Sequence, residues 1–385
     1  MRGKYAIVGK AETTVGVVPD YSPTELCVQA VAGAVRDAGL TMGQVDGLLT
    51  CNSFAEPIMY HAEAIAEYMG LKPRYCASVN TGGGTTFAAV QQAAAAIEAG
   101  MAHTIVIAMA DSLRSFMTRE RAMIVQSSSG HPLFEQPYGA TVPAYYALIA
   151  RAHMDRYGTT EEQMAEVAVS ARSWASLNEK AQMREPITVD DVMSSRPIAD
   201  PLKVLDCSLV SDGGAAIVLT SAERARDLAH QPAYILGYGE GHAYEHIMQS
   251  PDLTCSAATQ SGAQAFAMAG LEPKDINMLQ LYDCFTPTVL VQLEDLGICE
   301  RGEAGAFMQT HDTRPGGRLP MNTHGGMLSC CHPGNPGAMF ALTETLAQFR
   351  GECGARQVEH ADTALLHALG GIMSSHATLI LGREV

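Results

Sequence analysis

The residues of this chain best suited to chemistry crowd into its last third. Tyr282, Asp283 and Cys284 stand together in YDCF, and a Cys-His-Pro turn at Cys331, His332 and Pro333 falls within NTHGGMLSCCHPGNPG. His367 lies three residues before Gly370 and Gly371 in HALGG. Imidazole titrates near neutrality, and a phenol or thiol can give or take a proton, so these types suit acid–base work. A Tyr on a strand, a Cys in a core and a His before Pro are each commonly structural; their company argues for a site. In the first half, three glycines, Gly82 to Gly84, precede an Ala-rich stretch in VNTGGGTTFAAV. A run of this kind at the start of a helix can present backbone N–H groups to a carbonyl oxygen, but it holds no nucleophile. Asn80 and Thr81 beside it read as loop caps, and Asp283 as an anchor for its own loop. Cys330 and Cys331 are adjacent, which suits one tetrahedral site poorly, and no metal is expected.

Holding these groups requires an α/β framework. Short β-rich runs at 5–8, 45–50, 104–108, 215–220, 234–238, 276–282, 364–369 and 377–381 alternate with helical stretches such as 88–100 and 160–176. SSSGHPLFEQPYG at 127–139 reads as loop, and SAERARDLAHQP at 221–232 as a linker helix. The chain also repeats itself. Shifted by roughly 231 positions, DAGLTMGQVDGLLTCNSF (37–54) overlies MAGLEPKDINMLQLYDCF (268–285) without a gap. Each block reads as a helix end with a glycine cap, a turn and a buried strand. A second echo joins the glycine-led helix at 82–100 and its strand TIVIAMAD to CHPGNPGAMF and its strand ALLHALGG. Two similar halves follow.

The C-terminal motifs resemble a known family in detail. YDCFTPTVLVQLEDLG (282–297) resembles the HDCF segment of sterol carrier protein X type thiolases, and NTHGGMLSCCHPGNPG resembles their NxxGG…GHPxGxxG segment, with Cys331 replacing a glycine. HALGG corresponds to their terminal Gly-rich turn and SDGGAAIVL (211–219) to the strand closing the first half. The resemblance spans nearly the whole chain. It implies an α/β thiolase fold, with two similar βαβαβ halves in a five-layered α-β-α-β-α sandwich. Its halves would cover 1–230, with a loop insertion at about 111–205, and 231–385.

In such enzymes a cysteine at a helix start takes the acyl group. The matching place here is Gly83, give or take one, and Cys76 is the nearest thiol upstream. The chain is also similar to the steroid side-chain-cleaving aldolases, which carry a TGG-type string and a Tyr-Asp-x-Phe motif. It departs from them in keeping Cys-His-Pro where they have a tyrosine-containing segment. By resemblance, Tyr282, His332, Cys284 and His367 are the catalytic candidates, and Gly82, Gly83, Gly84, His324, Gly370 and Gly371 bind substrate. The reaction implied is retro-aldol cleavage of a β-hydroxyacyl-CoA, with a steroid side chain or another bulky acyl group, without a cysteine nucleophile. Two other readings stay open: a β-ketoacyl-CoA thiolase or acyltransferase using Cys284 or another thiol, and a non-catalytic subunit that binds CoA esters or serves as a scaffold. Coenzyme A would enter as part of the substrate, with no tightly bound cofactor. The partners implied are a second copy in a homodimer and a zinc-ribbon/OB-fold protein.

Composition sets the outer bounds. With 385 residues, 47% of them hydrophobic, the chain can bury a large core in more than one unit. A net charge of -16 without a basic run argues against nucleic acid or an anionic membrane as partner. Ten scattered cysteines without CxxC pairs, no secretory h-region and no apolar run of about 18 residues lead to the expectation of a soluble cytoplasmic protein with reduced thiols.

Overall fold

The computed structural model describes residues 2–385. Nine strands form one continuous sheet: β1 (Tyr5–Glu12), β2 (Gly47–Thr50), β3 (Tyr75–Ser78), β4 (Thr104–Ser112), β5 (Asp212–Ser221), β6 (Ala233–His242), β7 (Met278–Leu281), β8 (Thr363–Gly370) and β9 (Ser375–Gly382). Their order is β3-β2-β4-β5-β1-β6-β9-β8-β7. β2 runs parallel to β3 and β4, and β5 lies antiparallel between β4 and β1. The other half repeats this scheme. β7 is parallel to β8, and β9 lies antiparallel between β8 and β6. The counterpart of β3 shrinks to a single parallel bridge between Leu279 and Met321. The halves join where β1 meets β6 through the pairs Ala6–Tyr234 and Ile7–Ala233.

The repeated sequence block becomes a repeated structure. Helix α1 (Pro23–Asp37) leads through Gly39 (φ +69°) and a 3-10 turn into β2. Helix α6 (Ala258–Ala269) leads through Gly270 (φ +64°) and a 3-10 turn into β7. A positive φ costs glycine nothing, which is why the same residue ends both helices. Between them in sequence lie α2 (His61–Tyr68), α3 (Thr85–Glu98), α4 (Val142–Tyr157) and α5 (Glu161–Ala175); beyond them lie α7 (Thr286–Asp295) and α8 (Gly337–Arg350).

Packing builds the five layers. α1 covers the outer face of β1, β4 and β5, and α6 covers β6 and β9. α3 and α8 lie between the halves, α3 touching β4, β5, β8 and β9, and α8 touching β1, β5, β7 and β8. Every residue of α8 from Gly337 to Phe349 is buried, so it has no solvent face. Its polar groups are paired inside: Gln348 donates to Glu344, and Glu344 pairs with Arg356 at 2.9 Å.

Several strands run past their apolar stretches, β1 as far as Glu12 and β5 back to Asp212, because the ladder between β1, β5 and β4 continues over small residues. The stretch expected as a linker helix forms only the turn Ala222–Ala225. The expected loop at 127–139 follows a helix, Arg119–Ser127, and holds a 3-10 turn at Gln136–Tyr138. No helix among the described residues is long and apolar enough to cross a membrane.

Candidate active site

The glycine run opens α3. Gly82 takes φ +63°, Thr85 Oγ1 donates to the Gly82 carbonyl at 2.5 Å, and the Thr81 N–H donates back to Thr85 Oγ1 at 2.9 Å. This turn presses against the end of β8. A Cβ on Gly82 would stand 2.8 Å from Gly370 Cα, and one on Gly370 only 1.8 Å from the Thr81 carbonyl oxygen. Backbone therefore meets backbone at both glycine turns.

Gly83 faces Tyr282. A Cβ there would lie 2.3 Å from both the Cζ and the hydroxyl of Tyr282, and 2.4 Å from the Leu369 carbonyl oxygen. A side chain at position 83 and the phenol in its present place exclude one another. Gly84, the N-cap of α3, has room, its nearest atom lying 3.5 Å away.

Tyr282 sits just past β7, clamped by α7: its N–H donates to Gln292 Oε1 at 3.0 Å, and Gln292 Nε2 donates to its carbonyl at 2.8 Å. Its hydroxyl lies 3.1 Å from His332 Nε2, the two rings edge to face, and His332 Nδ1 lies 2.8 Å from Ser208 Oγ. Burial holds the His332 imidazole down at about 4, so it is neutral near pH 7. Burial, followed by the nearby Cys284 and Asp283, drives the Tyr282 phenol well above its ordinary value. A neutral imidazole against a protonated phenol is a hydrogen-bonded pair whose proton rests on the phenol; the imidazole can accept it only when negative charge on the phenol oxygen is relieved by a proton from substrate.

Cys284 and Asp283 support this pair. Burial pushes the Cys284 thiol up to about 12, far from the depressed value a reactive thiolate needs. Tyr146, from α4, lies against Cys284, stacks on Phe285 with centroids 4.5 Å apart, and donates to the Gly371 carbonyl at 3.0 Å. Asp283 accepts from the Met327 N–H at 2.7 Å, and a Cβ on Gly326 would strike its carboxylate at 1.9 Å, so it pins the π-helical segment Gly326–Cys330 that leads to His332. Burial raises Asp283 to about 6.

The structure brings Gly82, Gly83, Gly84, Tyr282, Cys284, His332, Gly370 and Gly371 into one neighbourhood. It separates two of the expected residues from them. His367 points toward α6: its Nδ1 lies 2.8 Å from Thr378 Oγ1, which bonds Ser261, and its Nε2 lies 3.1 Å from His376 Nδ1. Only its carbonyl reaches the site, accepting from the Tyr282 N–H at 3.1 Å. His324 lines a cleft of about 470 Å³ with Glu12, Asn178, Lys180, Glu344 and Arg356, whose lining includes neither Tyr282 nor His332. A larger groove of about 920 Å³, beside Ile276, Asn277 and Pro320, holds none of the candidates. Residue types gave no signal for Ser208, Tyr146 or Gln292. Each is an ordinary polar residue until the fold brings it to Tyr282, Cys284 or His332.

Residues 5–223 match the thiolase N-terminal domain, and residues 239–383 match the thiolase C-terminal domain-like family. An acetyl-CoA acetyltransferase of Methanothermobacter thermautotrophicus is 34% identical over 98% of this chain and 99% of its own. The 17-hydroxy-3-oxo-4-pregnene-20-carboxyl-CoA lyase of Mycobacterium tuberculosis is 36% identical over 99% of this chain and 100% of its own. A solved structure described as the Ltp2-ChsH2(DUF35) aldolase superposes with a TM-score of 0.88 at 36% identity, covering 99% of this chain and 98% of that one. Matched in both halves and aligned end to end with these relatives, the chain belongs to the thiolase family.

Proposed function

We propose that this chain is a carbon–carbon lyase that cleaves a β-hydroxyacyl-CoA by a retro-aldol reaction. The observation that carries the reading is the contact between Tyr282 and Gly83: a phenol fills the space that a side chain at the helix start would need. Tyr282, backed by His332, removes the β-hydroxyl proton, the Cα–Cβ bond breaks, and the electron pair passes into the thioester enolate. Amides of the Gly82–Gly84 turn at the start of α3 stabilise the enolate oxygen. The turn formed by Gly370 and Gly371 lies against Gly82, and Tyr146 links its carbonyl to Cys284. The names of the lyase and aldolase relatives support this class of reaction.

The acetyltransferase relative keeps a second reading in view, acyl transfer through a thiol. Cys284 suits that role poorly, because burial raises its pKa to about 12. The test is incubation of the purified chain with 17-hydroxy-3-oxo-4-pregnene-20-carboxyl-CoA. The retro-aldol reading expects a 17-ketone and a three-carbon acyl-CoA. An acyl adduct on any cysteine, seen by intact mass, would sink it.

Coenzyme A enters only as part of the substrate in this reading. We further infer a homodimer through the open edge of β3, whose residues are partly exposed, and a complex with a zinc-ribbon/OB-fold protein, prompted by the DUF35 partner in the related solved complex. Ten cysteines without a disulfide fit a reducing compartment such as the cytoplasm.

A further inference from the structure

One side chain meets the far side of the His332 ring. Ser208 Oγ stands 2.8 Å from Nδ1, while Nε2 faces the Tyr282 hydroxyl at 3.1 Å. The loop that carries Ser208 is laced to both reacting segments. The Ser208 N–H donates to the Cys284 carbonyl at 2.9 Å, the Leu209 N–H to that of Met327 at 3.1 Å, and the Ser211 N–H to that of His332 at 3.2 Å. The His332 N–H returns a bond to Ser211 Oγ at 3.0 Å. Ser208 is thereby fixed against the ring. It is also partly exposed, beside Val210, which is 54% exposed, whereas Tyr282 is buried.

The two hydroxyls on this imidazole differ. A phenol is the stronger donor and the weaker acceptor; an alkyl hydroxyl accepts better. A neutral imidazole has one N–H and one lone pair, so the better match puts the lone pair on Nε2 toward Tyr282 and the N–H on Nδ1 toward Ser208; the backbone of Leu209, the next residue, also bonds the ring.

We propose that Ser208 is a positioning residue for the Tyr282–His332 pair: it holds His332 as the Nδ1–H tautomer, so that Nε2 can take the phenol proton, and it connects the ring to solvent. The proposal rests on the retro-aldol reading. As the substrate's β-hydroxyl proton passes to the Tyr282 oxygen, the phenol's own proton moves to His332 Nε2. The O–H electron pair becomes the carbonyl π bond, and the Cα–Cβ pair becomes the enolate. The proton on Nδ1 leaves to Ser208 Oγ as the serine's own proton passes to water. The cycle closes when Tyr282 protonates Cα, Nε2 returns its proton to the phenol, and Ser208 relays one from water to Nδ1. No net proton is gained or lost. His332 is itself only partly buried, and Ser208 is the hydroxyl bonded to Nδ1, so the Nδ1 proton leaves along that bond.

Two measurements on the full chain test this. Nitrogen-15 NMR of the substrate-free protein, with His332→Gln to identify the resonance, should read Nδ1 protonated and Nε2 unprotonated in the parent and in Ser208→Thr, and should lose that state in Ser208→Ala. With 17-hydroxy-3-oxo-4-pregnene-20-carboxyl-CoA and the ChsH2 DUF35 protein present, Ser208→Ala should lower kcat roughly tenfold or more at unchanged KM. It should also raise the solvent deuterium isotope effect on kcat, and Ser208→Thr should restore both. An Nε2–H tautomer in the parent, or a Ser208→Ala protein with parental tautomer and kcat, overturns the proposal. Parental turnover by Tyr282→Phe overturns the retro-aldol reading and the outlet with it, while the tautomer measurement still decides what Ser208 does to His332.

Discussion

Two histidine chains run through this protein, and they share their chemistry but not their ends. In one, Tyr282, His332 and Ser208 are linked at 3.1 and 2.8 Å. In the other, Thr378, His367 and His376 are linked at 2.8 and 3.1 Å, and His376 Nε2 closes on the Met373 carbonyl at 3.1 Å. Burial keeps the imidazoles of both chains neutral, with His332 and His376 each held at about 4. The first chain is open: its phenol abuts Gly83, and its serine reaches solvent. The second is closed, because Thr378, His367 and His376 are all buried and none of them reaches solvent. A depressed histidine pKa therefore marks burial, and only an open end makes the residue available for reaction.

Breaking the open chain should cost the most. Tyr282→Phe removes the hydroxyl that faces His332, and kcat is expected to fall by about 10²–10⁴ with a thermal midpoint close to that of the parent. Steady-state kinetics beside a melting curve check this. His367→Asn, in the closed chain, is expected to reverse the pattern by lowering the midpoint and sparing kcat.

Acid should expose the closed chain next. His376 has a folded pKa of about 4 against an ordinary 6.5. A base whose folded value is depressed contributes its full stability above the unfolded pKa, and loses it as pH falls from 6.5 toward 4 and the unfolded chain takes up the proton. Over that window the loss is on the order of 3 kcal/mol for a fully buried imidazole. Urea midpoints at pH 7 and pH 4.5 should show it, and His376→Gln should flatten the slope.

The contact at the open end predicts a smaller effect. Gly83→Ala would place a methyl 2.3 Å from the Tyr282 ring. Overpacking of this kind costs about 1–3 kcal/mol, and kcat should fall at least tenfold as the phenol is displaced. Gly84→Ala, with no atom nearer than 3.5 Å, is the matched control and should behave as the parent. Smallest of all, Cys284→Ala should change turnover only a few-fold. An acyl-CoA incubation of the parent followed by intact mass should find no adduct. A larger loss together with an adduct would move the chemistry onto the thiol.

Much of the scaffold can be read from the residues themselves. Hydrophobic runs mark eight of the nine strands, and the repeat of 37–54 at 268–285 marks the doubled architecture. That repeat is visible because the same helix-cap glycine and the same buried strand are written twice. Tyr282 and His332 stand out because their strings are compact and rich in reactive types. His367 and His324 stand out for the same reason, yet they belong elsewhere.

On its own, the sequence determined the two-half α/β fold, the pairing of YDCF with the Cys-His-Pro turn, and the absence of a nucleophile from Gly82 to Gly84. Only the tertiary structure decided that Tyr282 occupies the space above Gly83, that Ser208 completes the His332 chain, and that His367 faces α6 instead of the site. The reason is geometric. Periodicity along a chain fixes which elements form, but a strand shows alternate residues to opposite faces, so a reactive side chain can turn to either layer. Which one it meets depends on segments far away in sequence, and a loop as plain as residues 207–211 gains its role only by folding onto them.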